Sequence, residues 1–312
     1  MLSSAIIDPS IASLLVGTDA KLRESQLIHL LRGLHHNGFL LLDKHSILTK
    51  PLTTSNAIRQ NVKLSALLTT LVLDCSAEIS TAASLTPIAA IRALSERHPP
   101  DLVVSDTEPP HDAFGRAAGR IQKLDDYHNS SAESERCVWA AGVGPVTSVE
   151  KLSELLRRVF RHARWIRLYD AYFASEGGQV KRRRSLQLIL QNWFQDCAYP
   201  ENERCVEFFC ANESATPAGV ARLRGELETL QRDYPIKFDV KVVQNTNAKL
   251  HARHIQTPHF ILLADPGLDF FNGDDSLRHI LLKPARGDKE HLRQVRSLSA
   301  STASFCLPAP RR

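Results

Sequence analysis

Leu250-His251-Ala252-Arg253-His254-Ile255-Gln256-Thr257 is the stretch that decides how the second half of the chain is interpreted, and the apolar run Phe260-Ile261-Leu262-Leu263-Ala264 follows it. Residues i and i+2 of a strand point to one face of a sheet, so we expect His251 and Arg253 to project together. A histidine can attack phosphorus or protonate a leaving oxygen near neutral pH, and a neighbouring guanidinium binds phosphoryl oxygens. The spacing therefore predicts a catalytic pair, His251 and Arg253, that acts on a phosphate group.

A second group of cations opens a predicted helix. Lys181-Arg182-Arg183-Arg184 precedes an apolar face that consists of Leu186, Ile189, Leu190 and Trp193. Cations at a helix N-terminus oppose the macrodipole, so this cluster is unfavourable unless an anion binds there. We expect phosphate to be bound by this cluster and by the lysine that precedes the His251 strand: Lys249, Lys181, Arg182, Arg183 and Arg184. A solvated basic loop is the alternative interpretation of the cluster.

The chain as a whole alternates short apolar runs with amphipathic ones. The first half reads as a strand at residues 4–7, a helix that ends at Asn37-Gly38, and a strand at residues 39–43. The second half repeats this order after the capping sequence Thr147-Ser148-Val149-Glu150. We therefore expect an α/β fold, with an N-terminal α/β domain (residues 1–135), an α/β sandwich domain (136–285) and a basic, flexible tail (286–312).

Three aspartates of the first half end predicted strands. Asp8, Asp43 and Asp106 would converge at the carboxyl ends of a parallel sheet, where ligands of open α/β sheets bind. Grouped carboxylates bind Mg²⁺ or Mn²⁺, and this arrangement is similar in outline to PIN-type metal nucleases. The sequence thus predicts a metal site at these aspartates, with ordinary turn chemistry as the alternative.

Composition limits the class of protein. A formal charge of +5 and a pI near 8.9 favour an anionic partner. No apolar run approaches the ~20 residues that cross a bilayer, and no basic segment precedes an apolar core at the N-terminus. We expect a cytoplasmic protein without a transmembrane segment.

The motifs of the second half resemble those of one superfamily. His-x-Lys, followed after four residues by Asp, marks phospholipase-D-like proteins, and His251-Ala252-Arg253 resembles a divergent form with Arg253 for Lys and Pro258 for Asp. Gly267-Leu268-Asp269-Phe270-Phe271 resembles the C-terminal phospholipase-D-like domain of MIT-domain proteins, and Asp170-Ala171-Tyr172 resembles its Asp-Pro-Tyr strand end. The resemblance covers residues 136–285 and implies a phosphohistidine mechanism without a cofactor. Because the chain has a single such motif, it also implies a homodimer in which two His251 residues face each other.

Two functions remain open from the sequence. The first is a phosphodiester-binding, nuclease-like component that acts on nucleic acid, in bacterial antiviral defence. The second is a non-catalytic phospholipase-D-like module that binds a protein partner or an anionic membrane. The substitutions at Arg253 and Pro258 favour binding over turnover, and binding of an anionic partner is common to both functions.

Overall fold

The structure is a computed structural model that describes residues 3–74, 76–79, 81–106, 121–124, 146, 148–175, 179–244, 253–265, 267–272 and 276–310. Its contacts divide the chain into two compact units, Met1–Ala141 and Gly142–Arg312, which we call unit 1 and unit 2. Each unit combines helices with one β-sheet, so the expected α/β fold class is confirmed.

Unit 1 is built on a parallel sheet with the strand order β3-β2-β1-β4-β5. Its strands are β1 (Ser3–Ile7), β2 (Gly38–Asp43), β3 (Ser76–Ile79), β4 (Leu102–Val104) and β5 (Ile121–Gln122). Its described helices are α1 (Ala20–Asn37), α2 (Thr49–Thr54), α3 (Asn56–Gln60), α4 (Val62–Asp74) and α5 (Pro87–Arg97). The chain moves outward from β1 to β3 and then returns to the other side of β1 as β4. The strand order therefore reverses between β1 and β4, which is where ligands of open α/β sheets bind.

Unit 2 is built on a mixed sheet with the strand order β11-β10-β9-β6-β7-β8-β12. Its strands are β6 (Trp165–Tyr169), β7 (Cys205–Ala211), β8 (Lys237–Val243), β9 (Arg253–Gln256), β10 (Ile261–Asp265), β11 (Leu281–Pro284) and β12 (Phe305–Leu307). Its described helices are α6 (Val149–Phe160), α7 (Gln179–Asp196), α8 (Pro217–Asp233) and α9 (Lys289–Arg296). The three central strands β6, β7 and β8 are parallel, and the outer pairings are antiparallel.

Local sequence signals explain where several helices begin. Thr86 and Thr216 are the N-caps of α5 and α8, and each accepts a hydrogen bond from the N–H three residues on. A proline follows each threonine, where its missing N–H has no cost. The N-cap of α6 is Ser148, whose Oγ accepts from Lys151 N at 3.3 Å, so the helix starts one residue after the position that the capping sequence predicted.

The two faces of the unit 2 sheet differ in burial. Even-numbered residues of β7, such as Val206 and Phe208, are fully buried. On the other face, Tyr169 and Phe209 pack with Leu292 and Val295 of α9. Cys205 and Glu207 of that face are partly exposed, so the face is buried mainly toward the carboxyl ends of the parallel strands.

The C-terminal residues differ from the expected flexible tail over residues 286–312. α9 packs two residues into the core, and β12 pairs with β8 from Phe305 to Leu307. The sequence signal is weak because α9 buries only Leu292 and Val295 and β12 is too short to show a period. Basic and serine residues dominate the composition, while these few apolar residues fix the structure.

Gly219 provides a test of packing at the start of α8. A Cβ at this position would lie 2.0 Å from the carbonyl oxygen of Ala174. We expect Gly219→Ala to lower the free energy of unfolding by about 1–3 kcal/mol, because the backbone would have to move. Gly225 of the same helix is exposed with nothing within 4 Å of its Cβ position, so Gly225→Ala should instead raise it by about 0.5–1 kcal/mol. Urea unfolding of the two variants checks this, and equal effects would contradict it.

Two buried histidines predict how stability depends on pH. Burial lowers the pKa of His259 in unit 2 to about 3 and that of His98 in unit 1 to about 4. In the unfolded chain these histidines take up a proton near pH 6.5, whereas in the folded chain they stay neutral to a lower pH. The free energy of unfolding therefore decreases as the pH falls below about 6.5. We expect His259 alone to reduce the free energy of unfolding by about 1.4 kcal/mol for each pH unit between roughly 6 and 4. Urea unfolding at several pH values should show a shallower slope for His259→Gln; an unchanged slope would refute the assignment.

Candidate functional site

A polar site lies at the edge of the unit 2 sheet where β6 ends and β9 begins. These strands are antiparallel, with Tyr169 opposite His254, and this register brings Asp170 beside Arg253. β10 is antiparallel to β9, so the loop that follows β10 reaches the same edge. A Cβ on Gly267 of that loop would lie 3.7 Å from Arg253 Nε and 3.9 Å from Asp170 Oδ2. We call this group the strand-edge site: Asp170, Tyr172, Arg253 and Gly267.

Asp170 is the buried carboxylate of the strand-edge site and is 7% exposed. Its Oδ1 accepts a hydrogen bond from Tyr172 N at 2.9 Å, and the backbone of Leu268 also donates to the carboxylate. Burial raises the pKa of Asp170, while these hydrogen bonds and the charges of Arg253 and Arg182 act in the opposite direction. The carboxylate therefore joins the turn after β6 to the loop after β10.

Arg253 is the half-buried cation of the strand-edge site. Its Nε lies 4.0 Å from Asp170 Oδ1, and its guanidinium carbon lies 5.5 Å from the centre of the Tyr172 ring. The Nε atom is inaccessible to water, yet Arg253 donates no hydrogen bond to any residue that the structure describes. A guanidinium carries five N–H donors in a planar fork that matches the oxygens of a phosphate or carboxylate. Asp170 thus lies beside this fork, and none of the residues that the structure describes accepts a hydrogen bond from it.

Arg182 has a different environment, although it belongs to the basic cluster. α7 begins at Gln179, so Lys181–Arg184 lie in its first turns. Arg182 is 7% exposed, and its guanidinium donates to the carbonyl oxygens of Tyr172, Phe173 and Ser175. These bonds brace the turn that follows Asp170, so in this structure Arg182 is part of the framework of the site.

The structure describes only some of the other residues that were predicted to bind phosphate. Arg183 is exposed, and the guanidinium of Arg184 lies 4.4 Å from the centre of the Phe271 ring. His251 and Lys249 lie outside the described residues, as does the side chain of Lys181. The role of these residues in phosphate binding therefore stays a prediction.

The loop after β10 contacts the start of α7. Phe270 N donates to Ser185 Oγ at 2.8 Å, a buried hydrogen bond, and Phe271 stacks against Arg184. Asp269 Oδ2 lies 3.6 Å from Arg278 Nη1. The Gly267–Phe271 segment therefore connects the strand-edge site to the basic helix start.

His254 does not join the strand-edge site, because neighbouring residues of a strand point to opposite faces. It is fully buried, and its Nε2 lies 2.7 Å from Asp288 Oδ2. Nearby on the same strand, Gln256 Oε1 accepts from Tyr169 Oη at 2.7 Å and from Arg296 Nη1 at 2.9 Å. These polar contacts fasten α9 and the turn before it to the sheet.

Asp8, Asp43 and Asp106 lie at the carboxyl ends of three neighbouring strands of unit 1, as predicted. Asp8 is buried and accepts from Ser10 N at 3.0 Å and from Ser105 Oγ at 2.5 Å, which joins the ends of β1 and β4. Asp43 is buried and accepts from Ile47 N and Leu48 N at 2.7 and 2.9 Å. Among the described residues, no three histidine, cysteine, aspartate or glutamate side chains form a group that could hold a metal ion. The expected Mg²⁺ or Mn²⁺ therefore stays a prediction, and the contacts described for Asp8 and Asp43 are those of turn-forming aspartates.

Sequence reasoning missed Asp170 and Tyr172 as members of the site. Asp170 directly follows the buried strand β6, which is the same signal that singled out the three aspartates of unit 1. Tyr172 belongs to the strand end Asp170-Ala171-Tyr172 that carries part of the resemblance, but its place beside Arg253 depends on the pairing of β6 with β9, which the sequence does not show.

Comparisons with known proteins give this chain no family. A scan against protein-family models and a search of curated proteins both found no match. In the described part of the chain, no helix combines the length and the apolar character that crossing a membrane requires. What the fold and the site define is a two-unit α/β protein in which a partly exposed arginine, Arg253, lies beside the buried Asp170 carboxylate.

The neighbours Arg182 and Arg183 provide a matched test of the framework. We expect Arg182→Gln to lower the free energy of unfolding by about 1–3 kcal/mol, because several buried carbonyl oxygens would lose their donor. Arg183 is the next residue along the helix, and its side chain is exposed. Arg183→Gln removes an equal charge and should change the free energy of unfolding by less than about 0.5 kcal/mol. Urea unfolding followed by tryptophan fluorescence measures both, since Trp165 and Trp193 lie in unit 2. Similar values for the two variants would show that Arg182 does not brace the turn.

Proposed function

We propose that unit 2 binds the phosphodiester backbone of a nucleic acid at the strand-edge site, as a nuclease-like component. The observation that carries this proposal is the guanidinium of Arg253, which lies beside a buried carboxylate and donates no hydrogen bond to a described residue. A phosphate would accept two of its N–H groups at once, as arginine–phosphate pairs commonly do.

The distribution of charge supports an anionic partner for this unit. Unit 2 contains 26 lysines and arginines against 19 aspartates and glutamates, a formal charge of +7. Unit 1 contains 13 against 15, a formal charge of −2. The excess positive charge of the chain therefore belongs to the unit that carries Arg253, and such an excess attracts nucleic acid over distances of about a Debye length.

Asp170 and Arg253 would have separate roles in binding. Arg253 contacts the phosphate, while Asp170 keeps the guanidinium at the strand edge when no ligand is bound. Asp170 competes only weakly with the phosphate for the guanidinium, because its oxygens already accept hydrogen bonds from the backbone of Tyr172 and Leu268.

Turnover at this site would require a nucleophile, and His251 is the candidate that the sequence provides. In the mechanism that the resemblance implies, its imidazole attacks phosphorus, the leaving oxygen takes up a proton, and water then releases the phosphoryl group. With one such motif in the chain, the proton donor would be His251 of a second copy. Cleavage is thus an additional part of the proposal, and phosphate binding by Arg253 does not depend on it.

Arg253→Gln tests the binding proposal. We expect the variant to bind a labelled oligonucleotide about tenfold more weakly or worse, because it loses a charge-assisted contact. Arg293→Gln is the matched control, since it removes an equal charge from an exposed side chain on α9 and should have little effect. Fluorescence anisotropy over a range of salt concentrations measures both, and binding should weaken steeply as salt rises. Equal losses for the two variants, or no binding by the wild type, would overturn the proposal.

The same preparation separates turnover from binding. Cleavage of the oligonucleotide by the wild type, lost in His251→Ala with binding retained, would establish the nuclease form. Binding without cleavage would assign unit 2 as a binding module. Retention by vesicles that contain phosphatidylserine, without oligonucleotide binding, would favour the membrane-binding alternative.

A further inference from the structure

Tyr172 is an exposed aromatic residue in a position that the backbone fixes. It is 40% exposed, whereas Tyr169 at the end of β6 and Phe173 in the same turn are buried. Its N–H donates to Asp170 Oδ1, and its carbonyl oxygen accepts from the guanidinium of Arg182. The ring is therefore attached to a short segment that is held on both sides, which limits the entropy that a bound ligand must remove.

The ring of Tyr172 also adjoins the open cation of the site. The guanidinium of Arg253 lies 5.5 Å from the ring centre, so an aromatic surface stands next to a cation that donates no hydrogen bond to a described residue. A nucleotide carries a base and a phosphate on the same sugar. An aromatic ring beside an arginine can therefore take both groups of one nucleotide, by stacking and by charge.

We propose that the strand-edge site prefers single-stranded nucleic acid, with a base stacked on Tyr172 and the adjoining phosphate bound to Arg253. This inference rests on the proposed function and specifies its substrate class. The bases of a duplex are stacked on one another and paired, so their faces are not accessible to a side chain at the protein surface. A single strand exposes those faces, and stacking on an aromatic residue tolerates any base.

The experiment compares Tyr172→Ala with Tyr172→Phe on a single-stranded and a duplex oligonucleotide of the same sequence. Anisotropy gives the dissociation constants, and both DNA and RNA versions of the single strand are used. For Tyr172→Ala we expect a loss of about tenfold in affinity for the single strand and less than about twofold for the duplex. Tyr172→Phe keeps the ring and should retain the wild-type preference. Thermal unfolding verifies that both variants fold, and Tyr172→Leu replaces Tyr172→Ala if the latter does not.

Each outcome has a defined meaning. The inference is overturned if the wild type binds the duplex as well as the single strand, or if Tyr172→Ala weakens both equally. It is also overturned if Tyr172→Phe behaves like Tyr172→Ala. In these cases the proposed function stands as long as Arg253→Gln still weakens binding. If Arg253→Gln has no effect on either oligonucleotide, the proposed function fails with it.

Discussion

The strand-edge site depends on the buried guanidinium of Arg182. By donating to the carbonyl oxygens of Tyr172, Phe173 and Ser175, it fixes the turn that follows β6. Backbone carbonyls that are removed from water need donors, and a charged donor makes the stronger bonds. One side chain of α7 therefore sets the position of Tyr172 and the conformation of the turn that Asp170 begins. On sequence alone the basic start of α7 resembles an anion site, but in the structure its residue Arg182 stabilises the turn after β6.

Arg182 and Arg253, the two arginines near Asp170, differ in the groups that accept their hydrogen bonds. Both Arg182 and Arg253 favour its ionised form, while burial opposes it. Arg182 donates hydrogen bonds to backbone carbonyl oxygens. The Nε of Arg253 lies 4.0 Å from Asp170 Oδ1, and Arg253 donates no hydrogen bond to a described residue. The difference follows from location, because the side chain of Arg182 is buried against the turn after β6, while Arg253 is the first residue of β9 and is partly exposed. An exposed edge can receive a ligand, and a packed helix cannot.

The residues at the strand ends of the two sheets have different surroundings in unit 1 and unit 2. In unit 1, Asp8 and Asp43 lie at strand ends and accept hydrogen bonds from the turns beside them. Asp8 also joins β1 to β4 through Ser105, at the point where the strand order reverses. In unit 2, Asp170 at the end of β6 also accepts a hydrogen bond from its turn, but here Arg253 lies beside the carboxylate, and the whole unit has a surplus of positive charge. The unit with the surplus is the one in which we propose nucleic-acid binding.

The sequence by itself determined the fold class, the positions of several helices and the residue types available to a site. α1 ends at Asn37, where the Asn37-Gly38 pair predicts a helix end, and β2 occupies Gly38–Asp43, close to the strand predicted at residues 39–43. These features are local, since periodicity and caps act within a few turns. The strand order, the place of β12 in the sheet and the approach of Asp170 to Arg253 were decided only by tertiary structure. They depend on which distant strands pair, and pairing is selected by the packing of whole faces, which a local pattern does not contain.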